Sequence, residues 1–424
     1  MEKLIRYKKT SYIIVLISFL FHVVTSFAQQ RDSRVREYLS PTRIVWQQES
    51  QLIQGAEYLL RPGHGQTNLV NNELCKLSST EQKHPAILFD FGKELQGGLQ
   101  IVTGMPDSHA PVTIRVRLGE SVSEAMCDID EVNGATNDHA MRDFVIRVPW
   151  LGVLEVGNSG FRFARIDLLD DSAELHLKEI RAISVYQDIP YKGSFRCNDE
   201  RLNRIWQTGA YTVHLNMQEY IWDGIKRDRL VWIGDLHPEV MTVNTVFGYN
   251  EVIPKSIDLI RDSTPLPRWM TMCTYSLWWI LIQRDWYLYQ GNLDYLKEQK
   301  SYLCDLLQLI MTRIGEDGLE KFNDDEGRFL DWPSCENPLA INAGVQALVI
   351  QAMKAGYELC SVLGEDMLAT KCEAVRRKMV NAAPKIIKPF LKSGMAPDAP
   401  GQKQAASLLA LTGLISPKEA KQKS

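Results

Sequence analysis

The sequence predicts two architectures in series, an antiparallel β-sandwich followed by packed helical hairpins. Two observations carry this expectation. Apolar residues recur with period two as far as about residue 187 and with a helical period after about residue 195. Gly, Pro, Asn and Asp clusters break up the first part at short intervals, whereas the second part runs in long uninterrupted stretches. The composition, 45% hydrophobic and 24% charged over 424 residues, is that of a folded globular chain with enough material for a large core.

The first 28 residues stand apart. Lys3, Arg6, Lys8 and Lys9 precede the apolar run Tyr12 to Val24, and Ser26-Phe27-Ala28 supplies small residues at −3 and −1 of a cleavage after Ala28. That layout predicts a secretory signal peptide and an exported, periplasmic or secreted protein. The run falls short of the ~20 apolar residues that a membrane span needs, so no membrane association is expected once the leader is removed. The net charge of −4, which becomes −7 when the leader's four basic residues and one acid are lost, gives no basic face for nucleic acid. Eight cysteines lie in the rest of the chain, none in a C-x-x-C pair, so no structural zinc is expected and buried free thiols are favoured. No metal-ligand spacing stands out among the eight histidines, and no cofactor is expected.

In the segment 36–190 the strand signals are Ile87–Phe91, Leu99–Val102, Val112–Leu118, Phe144–Val148, Phe161–Leu168 and Ile180–Tyr186. Val112–Leu118 alternates apolar and polar residues, the pattern of a strand with one buried face. Asp188–Phe195 (DIPYKGSF) is the expected linker. In 195–424, Asn198 is the expected N-cap of a helix whose Leu202, Ile205, Trp206 and Val213 share a face. Asp235 is the expected N-cap of a second, with Pro238 in its first turn. Helical periodicity follows over 250–261, 274–290, 292–313, 338–362, 364–392 and 402–413, with a polar loop at 315–331. Successive long helices with short links predict hairpins packed side by side.

The chemistry-bearing segment is Glu219 to Glu239, EYIWDGIKRDRLVWIGDLHPE. It gathers Asp223, Arg227, Asp228, Arg229, Asp235 and Glu239 around Trp222 and Trp232, between two predicted helices. Indole rings present flat apolar faces suited to the C–H face of a sugar. Carboxylates accept hydrogen bonds from its hydroxyls, and one kept protonated can donate a proton. Phe329-Leu330-Asp331-Trp332-Pro333 places another acid beside an indole, and Trp278, Trp279, Asp285, Trp286 and Tyr289 crowd a third helix. A structural reading remains open, in which the acids and arginines form ion pairs and the aromatics fill the core.

Gly193-Ser194-Phe195-Arg196-Cys197 through Asp199-Glu200-Arg201-Leu202-Asn203-Arg204-Ile205-Trp206, the run Asp223 to Asp235, and Asp331-Trp332 together resemble the bacterial α-L-rhamnosidases of glycoside hydrolase family 78. The resemblance covers about 190–413. It implies an (α/α)6 toroid, incomplete here, behind the β-sandwich, and a rhamnose-containing carbohydrate as substrate. It implies Asp228 as general acid, where the family usually has Glu. It implies Asp223, Asp235 and Arg227 as ligands of rhamnose with Asp331, and Trp232, Trp332 and Trp286 as aromatics lining the sugar pocket. The implied mechanism is inverting hydrolysis, with a second carboxylate activating water.

The family's base is a Glu that follows an aromatic far downstream of the acid, and here only Trp222 among the ten tryptophans precedes an acid, Asp223. The chain is therefore expected to stop short of the base and of the closing hairpins, and to show reduced stability and little hydrolysis. Glu326 and Glu336 are the in-chain substitutes for the base. A carbohydrate-binding remnant without turnover, or a six-hairpin glycosidase for another sugar, are the competing readings.

Overall fold

The computed structural model describes residues 32–69, 72–129, 140–393 and 401–422. The leader-like segment 1–28 lies outside the described residues. Nine strands form the β part: β1 (Arg34–Leu39), β2 (Arg43–Gln48), β3 (Ile53–Gln54), β4 (Cys75–Ser78), β5 (Ala86–Thr103), β6 (Val112–Gly119), β7 (Asp143–Val148), β8 (Val153–Leu168) and β9 (Glu174–Gln187). They are hydrogen-bonded in the order β3-β4-β9-β5-β8-β6-β7, with β1 on β9 and β2 on β5. Every pairing whose register is described is antiparallel.

The sequence signals at 87–91 and 99–102 are two halves of one 18-residue strand. Glycines that read as breaks are bulges instead. Register on β8 shifts between Asp90 and Leu95 and again between Gly97 and Leu99, where Gly92 has φ 84° and Gly97 φ 146°. A bulge bends its strand, so one continuous ladder wraps around a shared core. That core contains Phe89, Leu95, Leu99, Ile114, Val116, Phe161, Ile166 and Ile180.

The helical part comprises α2 (Glu200–Asn216), α3 (Leu236–Thr242), α4 (Val252–Ser263), α5 (Cys273–Gln290), α6 (Leu293–Met311), α7 (Pro338–Val362), α8 (Asp366–Ala382), α9 (Pro384–Lys392), α10 (Gln402–Leu411) and α11 (Pro417–Lys421); α1 (Val122–Met126) is a short helix beside β6. The periodic stretch 364–392 divides into α8 and α9 at Ala383-Pro384, where proline sits in the first turn of a new helix. Helices α3, α5, α7 and α10 follow one another as packed neighbours, while α4, α6 and α8 alternate with them in the chain. The long inner helices α5 and α7 bury residues around most of their circumference. The outer helices α6 and α8 bury a stripe and expose the rest.

Two local expectations fail at α2. Asp199, not Asn198, caps it, its carboxylate accepting from the Arg201 N–H at 2.9 Å. Leu202 and Ile205 are exposed, while Ala210 and Val213 enter the core, so the apolar face is buried only in the later turns. All eight cysteines are free thiols. Among the described residues no helix is long and apolar enough to cross a membrane.

A Cβ at Gly97 would lie 2.0 Å from the Ile183 carbonyl oxygen, at a φ that side chains avoid. Gly97→Ala is expected to lower unfolding free energy by about 2 kcal/mol or more in a urea titration. Gly209, exposed inside α2 with nothing within 4 Å of its Cβ position, is the opposite case. There alanine is expected to raise stability by about 0.5–1 kcal/mol through helix propensity.

Candidate active site

The segment joining α2 to α3 is pinned at both ends. The Asn216 carbonyl, at the end of α2, accepts from the Trp222 N–H at 3.0 Å. The Ile221 N–H donates to Ser256 Oγ of α4 at 2.9 Å. Asp223 then closes the loop on itself. Its N–H donates to the Leu230 carbonyl at 3.0 Å, and its Oδ1 accepts from the Leu230 N–H at 2.9 Å. Within that closure Asp228 and Arg229 both take positive φ, 55° and 54°. Left-handed backbone is tolerated by Asp but unusual for Arg, and two such residues in succession persist only where their surroundings hold them.

The surroundings are the β-sandwich. Lys226 bridges Glu120 at 2.9 Å and Glu124 at 3.0 Å. Arg229 donates to the Asn158 carbonyl at 2.7 Å, and Ile225 packs so closely on Gly160 that a Cβ there would meet it at 2.6 Å. The interleaved residues therefore anchor the loop to β8 and to the turn and short helix after β6, while the acids lie on its other side. Trp232 Nε1 donates to Asp228 Oδ2 at 3.1 Å, and the Arg227 guanidinium lies 3.6 Å from Asp228 Oδ1. Asp235 takes the N-cap position of α3 as expected, but its side chain makes no cap bond, which leaves the carboxyl to the site.

The acids act on one another. Burial pushes Asp223 above the ordinary aspartate range, and Asp228 and Asp235 push it further, against the Leu230 N–H. Asp235 is raised by burial and by Asp228. Glu239, one turn into α3, is raised to about 8 by burial, with Asp223 and Asp235 adding to it and the Asn216 side chain opposing. The Tyr275 phenol is pushed up to about 12, first by burial and then by Asp235 and Asp223.

Aromatic rings extend the site across three helix entrances. Trp232 before α3 meets Tyr275 in the first turn of α5, centroids 6.4 Å apart. Tyr275 meets Phe329 at 6.3 Å, and Phe329 meets Trp332 at 5.1 Å, both before α7. A cavity of about 420 Å3 opens between the first two entrances, bordered by Trp232, Arg268, Trp269, Thr271 and Tyr275. The aspartates lie off its wall; Trp232 and Tyr275 are the residues common to the cavity and the carboxylate group.

Most of the sequence-derived candidates converge here, with corrections. Trp332 is 78% exposed, a ring available for stacking. Asp331 is half-buried and caps its own 3-10 turn, accepting from the Ser334 N–H at 3.1 Å. Trp286 is 1% exposed, packed in the helical core against Tyr249, and lines no sugar pocket. Its neighbours follow suit: Trp279 is core, and Asp285 is held by His237 at 2.8 Å and Arg284 at 3.0 Å. On α5 the first turn, with Tyr275, reaches the cavity, whereas Trp279 and Trp286 turn into the helical core, a difference of helix face that the sequence crowding there did not reveal. Glu326 is committed to structure, bound by Arg313 and by Trp269 Nε1 at 3.0 Å, with a pKa held down by those donors against burial. It is therefore no free base. Glu336 is exposed in the segment before α7. Among the described residues no group of His, Cys, Asp and Glu side chains is arranged to hold a metal ion.

Three contributors carried no assigned role at the level of sequence: Glu239, Tyr275 and Trp269. The signal for Glu239 was its spacing, four residues after Asp235 and thus on the same helix face.

Comparison with known proteins follows this geometry. The sequence profile of the family described as the bacterial alpha-L-rhamnosidase 6 hairpin glycosidase domain matches residues 190–424. An alpha-L-rhamnosidase of Formosa agariphila is 31% identical over 78 residues, 18% of this chain and 8% of that protein's length. A rhamnosidase of Klebsiella oxytoca, solved with rhamnose bound, superposes with a TM-score of 0.73 at 16% identity, covering 93% of this chain and 79% of that one. A rhamnosidase of glycoside hydrolase family 78 from Bacillus sp. GL1 superposes at 0.67 and 19% identity over 87% of this chain and 39% of its own. At such identities the superpositions speak for the fold: a β-sandwich followed by helices of the (α/α)6 toroid.

Raised carboxyl pKa values set the sign of a stability effect. Asp223, Asp235 and Glu239 each bind a proton more tightly folded than unfolded, so their contribution falls as pH rises through and above the ordinary carboxylate pKa. Asp235→Asn removes one charge from the group. It is expected to raise the melting temperature at pH 7 and to leave it unchanged near pH 3, where both proteins carry neutral side chains; calorimetry at the two pH values checks this.

Proposed function

The chain belongs to the bacterial α-L-rhamnosidase family through its six-hairpin glycosidase domain, and on that premise we propose that it hydrolyses terminal α-L-rhamnosyl residues with Asp228 as general acid. The observation that carries the reading is the geometry at Asp228. Its carboxyl is gripped by the Trp232 indole N–H in a strained, sandwich-braced loop, among two further acids. A group held at that definition can protonate a departing oxygen, a step that contributes about 10²–10⁴-fold in hydrolases and other acid–base enzymes. Asp223 and Asp235 would accept hydrogen bonds from the hydroxyls of the sugar, with Arg227 and Asp331 at the margin. Trp232 and Trp332 would cover its apolar face. The proposed course is inversion: water attacks from the opposite face, directed by a second carboxylate roughly 6.5–9.5 Å from the acid.

The Klebsiella protein's bound rhamnose supports this choice of sugar. The leader-like residues 1–28 support an exported protein, with a rhamnose-containing glycan as the partner it meets outside the cytoplasm.

The test uses the purified chain with 4-nitrophenyl α-L-rhamnoside and, separately, L-rhamnose in a calorimeter. L-Rhamnose is expected to bind. Any release of nitrophenol is expected to fall about 10²–10⁴-fold in Asp228→Asn, with sugar binding retained. Undiminished turnover in that variant would remove Asp228 from its role. Binding without turnover in the wild type would identify a carbohydrate-binding protein, and preference for another hexose in a panel would change the substrate.

A further inference from the structure

Two acids of the Glu219–Glu239 segment have no part in the proposed reaction: Glu219, which is exposed and paired with Lys255, and Glu239, which is buried. The position of Glu239 is nonetheless distinctive. It lies four residues beyond Asp235 on α3, hence on the same helix face. It is 8% exposed, and its Oε2 is buried with no hydrogen-bond partner. Its Oε1 accepts from Asn216 Nδ2 at 2.8 Å. Asn216 is the last residue of α2, and its carbonyl receives the N–H of Trp222, the neighbour of Asp223. One hydrogen-bonded path thus runs from Glu239 through Asn216 to the backbone that carries Asp223, while Asp235 is attached to Glu239 through a single helical turn.

We propose that Glu239 is the positioning residue of this site, present as the neutral acid and required in that form for the sugar to bind between Asp223 and Asp235. The inference rests on the rhamnosidase reading above and extends it to a residue outside the reacting group.

The physical case is one of charge. The titratable groups that act on Glu239 are Asp223 and Asp235, both carboxylates, and no Lys, Arg or His among the described residues opposes them. His237, on the same helix, is turned to Asp285 of α5. The Tyr275 phenol, from α5, stays neutral far above any working pH. A third negative charge in this setting would be buried without a cation, the most expensive state available to it. Protonation removes that cost, and a pKa of about 8 keeps the proton in place at neutral pH. Asp223 and Asp235 can then carry the negative charge that sugar hydroxyls need as acceptor. When Glu239 ionises, three carboxylates repel across the two attachment points of the loop, and the pair that receives the sugar loses its spacing. A neutral carboxyl has an oxygen acceptor for Asn216 and a donor at the other oxygen; glutamine reproduces the acceptor and the neutrality without the titration.

The experiment measures L-rhamnose affinity by calorimetry on the whole chain from pH 6 to pH 9, for wild type and Glu239→Gln, with melting temperatures at each pH. Wild-type affinity is expected to hold to about pH 7 and to weaken about ten-fold at pH 9, since only the protonated fraction is competent. Glu239→Gln is expected to match the wild type within about three-fold at pH 6 and to lose the alkaline decline. Its melting temperature should also fall less between pH 6 and pH 9, because a carboxyl with a raised folded pKa withdraws stability as it ionises. A folded Glu239→Gln protein that keeps the wild-type decline, or that fails to bind at pH 6, overturns the proposal. A wild type that binds no L-rhamnose at any pH overturns the substrate reading instead, and the melting temperatures of the two proteins still decide whether Glu239 holds a proton.

Discussion

Carboxyl groups are crowded together here, and among the described residues no Lys, Arg or His offsets the most buried of them, Glu239, which is held toward its neutral form. Glu239 is buried, Asp223 half-buried and Asp235 exposed at the entrance of α3, all within electrostatic reach of one another, and the Arg227 guanidinium lies 3.6 Å from Asp228. Such an arrangement opposes folding, and the rest of the chain must hold it. The two large cores supply that surplus: one inside the bulged sheet, the other spanning α2 to α8. The acids emerge from a backbone tied at Asn216, Ser256, Leu230 and the sandwich, so relaxation apart is blocked at each end.

The fold was legible because periodicity reports burial. Period two marked the strands of the sheet, and helical period marked α4, α5, α6, α7 and α10 to within a few residues. What failed was local. Gly92 and Gly97 read as breaks because glycine marks both turns and bulges, and only the partner strand decides between them. The apolar Leu202 and Ile205 predicted a buried face that the first turns of α2 do not have.

The site was legible in its acids and less so in its aromatics. Asp223, Asp228 and Asp235 share one loop, and spacing alone put them together. Trp232 and Trp286 look alike in sequence, each an indole near an acid. One borders a cavity and bonds Asp228; the other is sealed in the core. That difference depends on which helix is inner, a property of tertiary packing. Tyr275 and Trp269 were invisible for the same reason, since they reach the site from a different helix entrance.

The sandwich gains a purpose from the same geometry. Residues of the motif loop alternate in allegiance: Ile225, Lys226 and Arg229 hold Gly160, Glu120, Glu124 and Asn158, whereas Asp228 and Trp232 bond each other on the side of the acids. Tyr211 of α2 adds a bond to the Glu94 carbonyl, and Glu94 itself is raised to about 8 by burial and by Glu120 and Glu124, with Lys226 opposing. Lys226 therefore serves two functions at once. It offsets a cluster of acids on the sandwich and fixes the loop two residues before Asp228. Two successive left-handed residues cost free energy that a free loop would recover by flipping out. Anchored on the sandwich, they are kept in place, and with them the carboxyl at 228 and its bond from Trp232. On this view the β domain is part of the mechanics of the candidate site, and the helical domain alone would carry the acids on a loop without that brace.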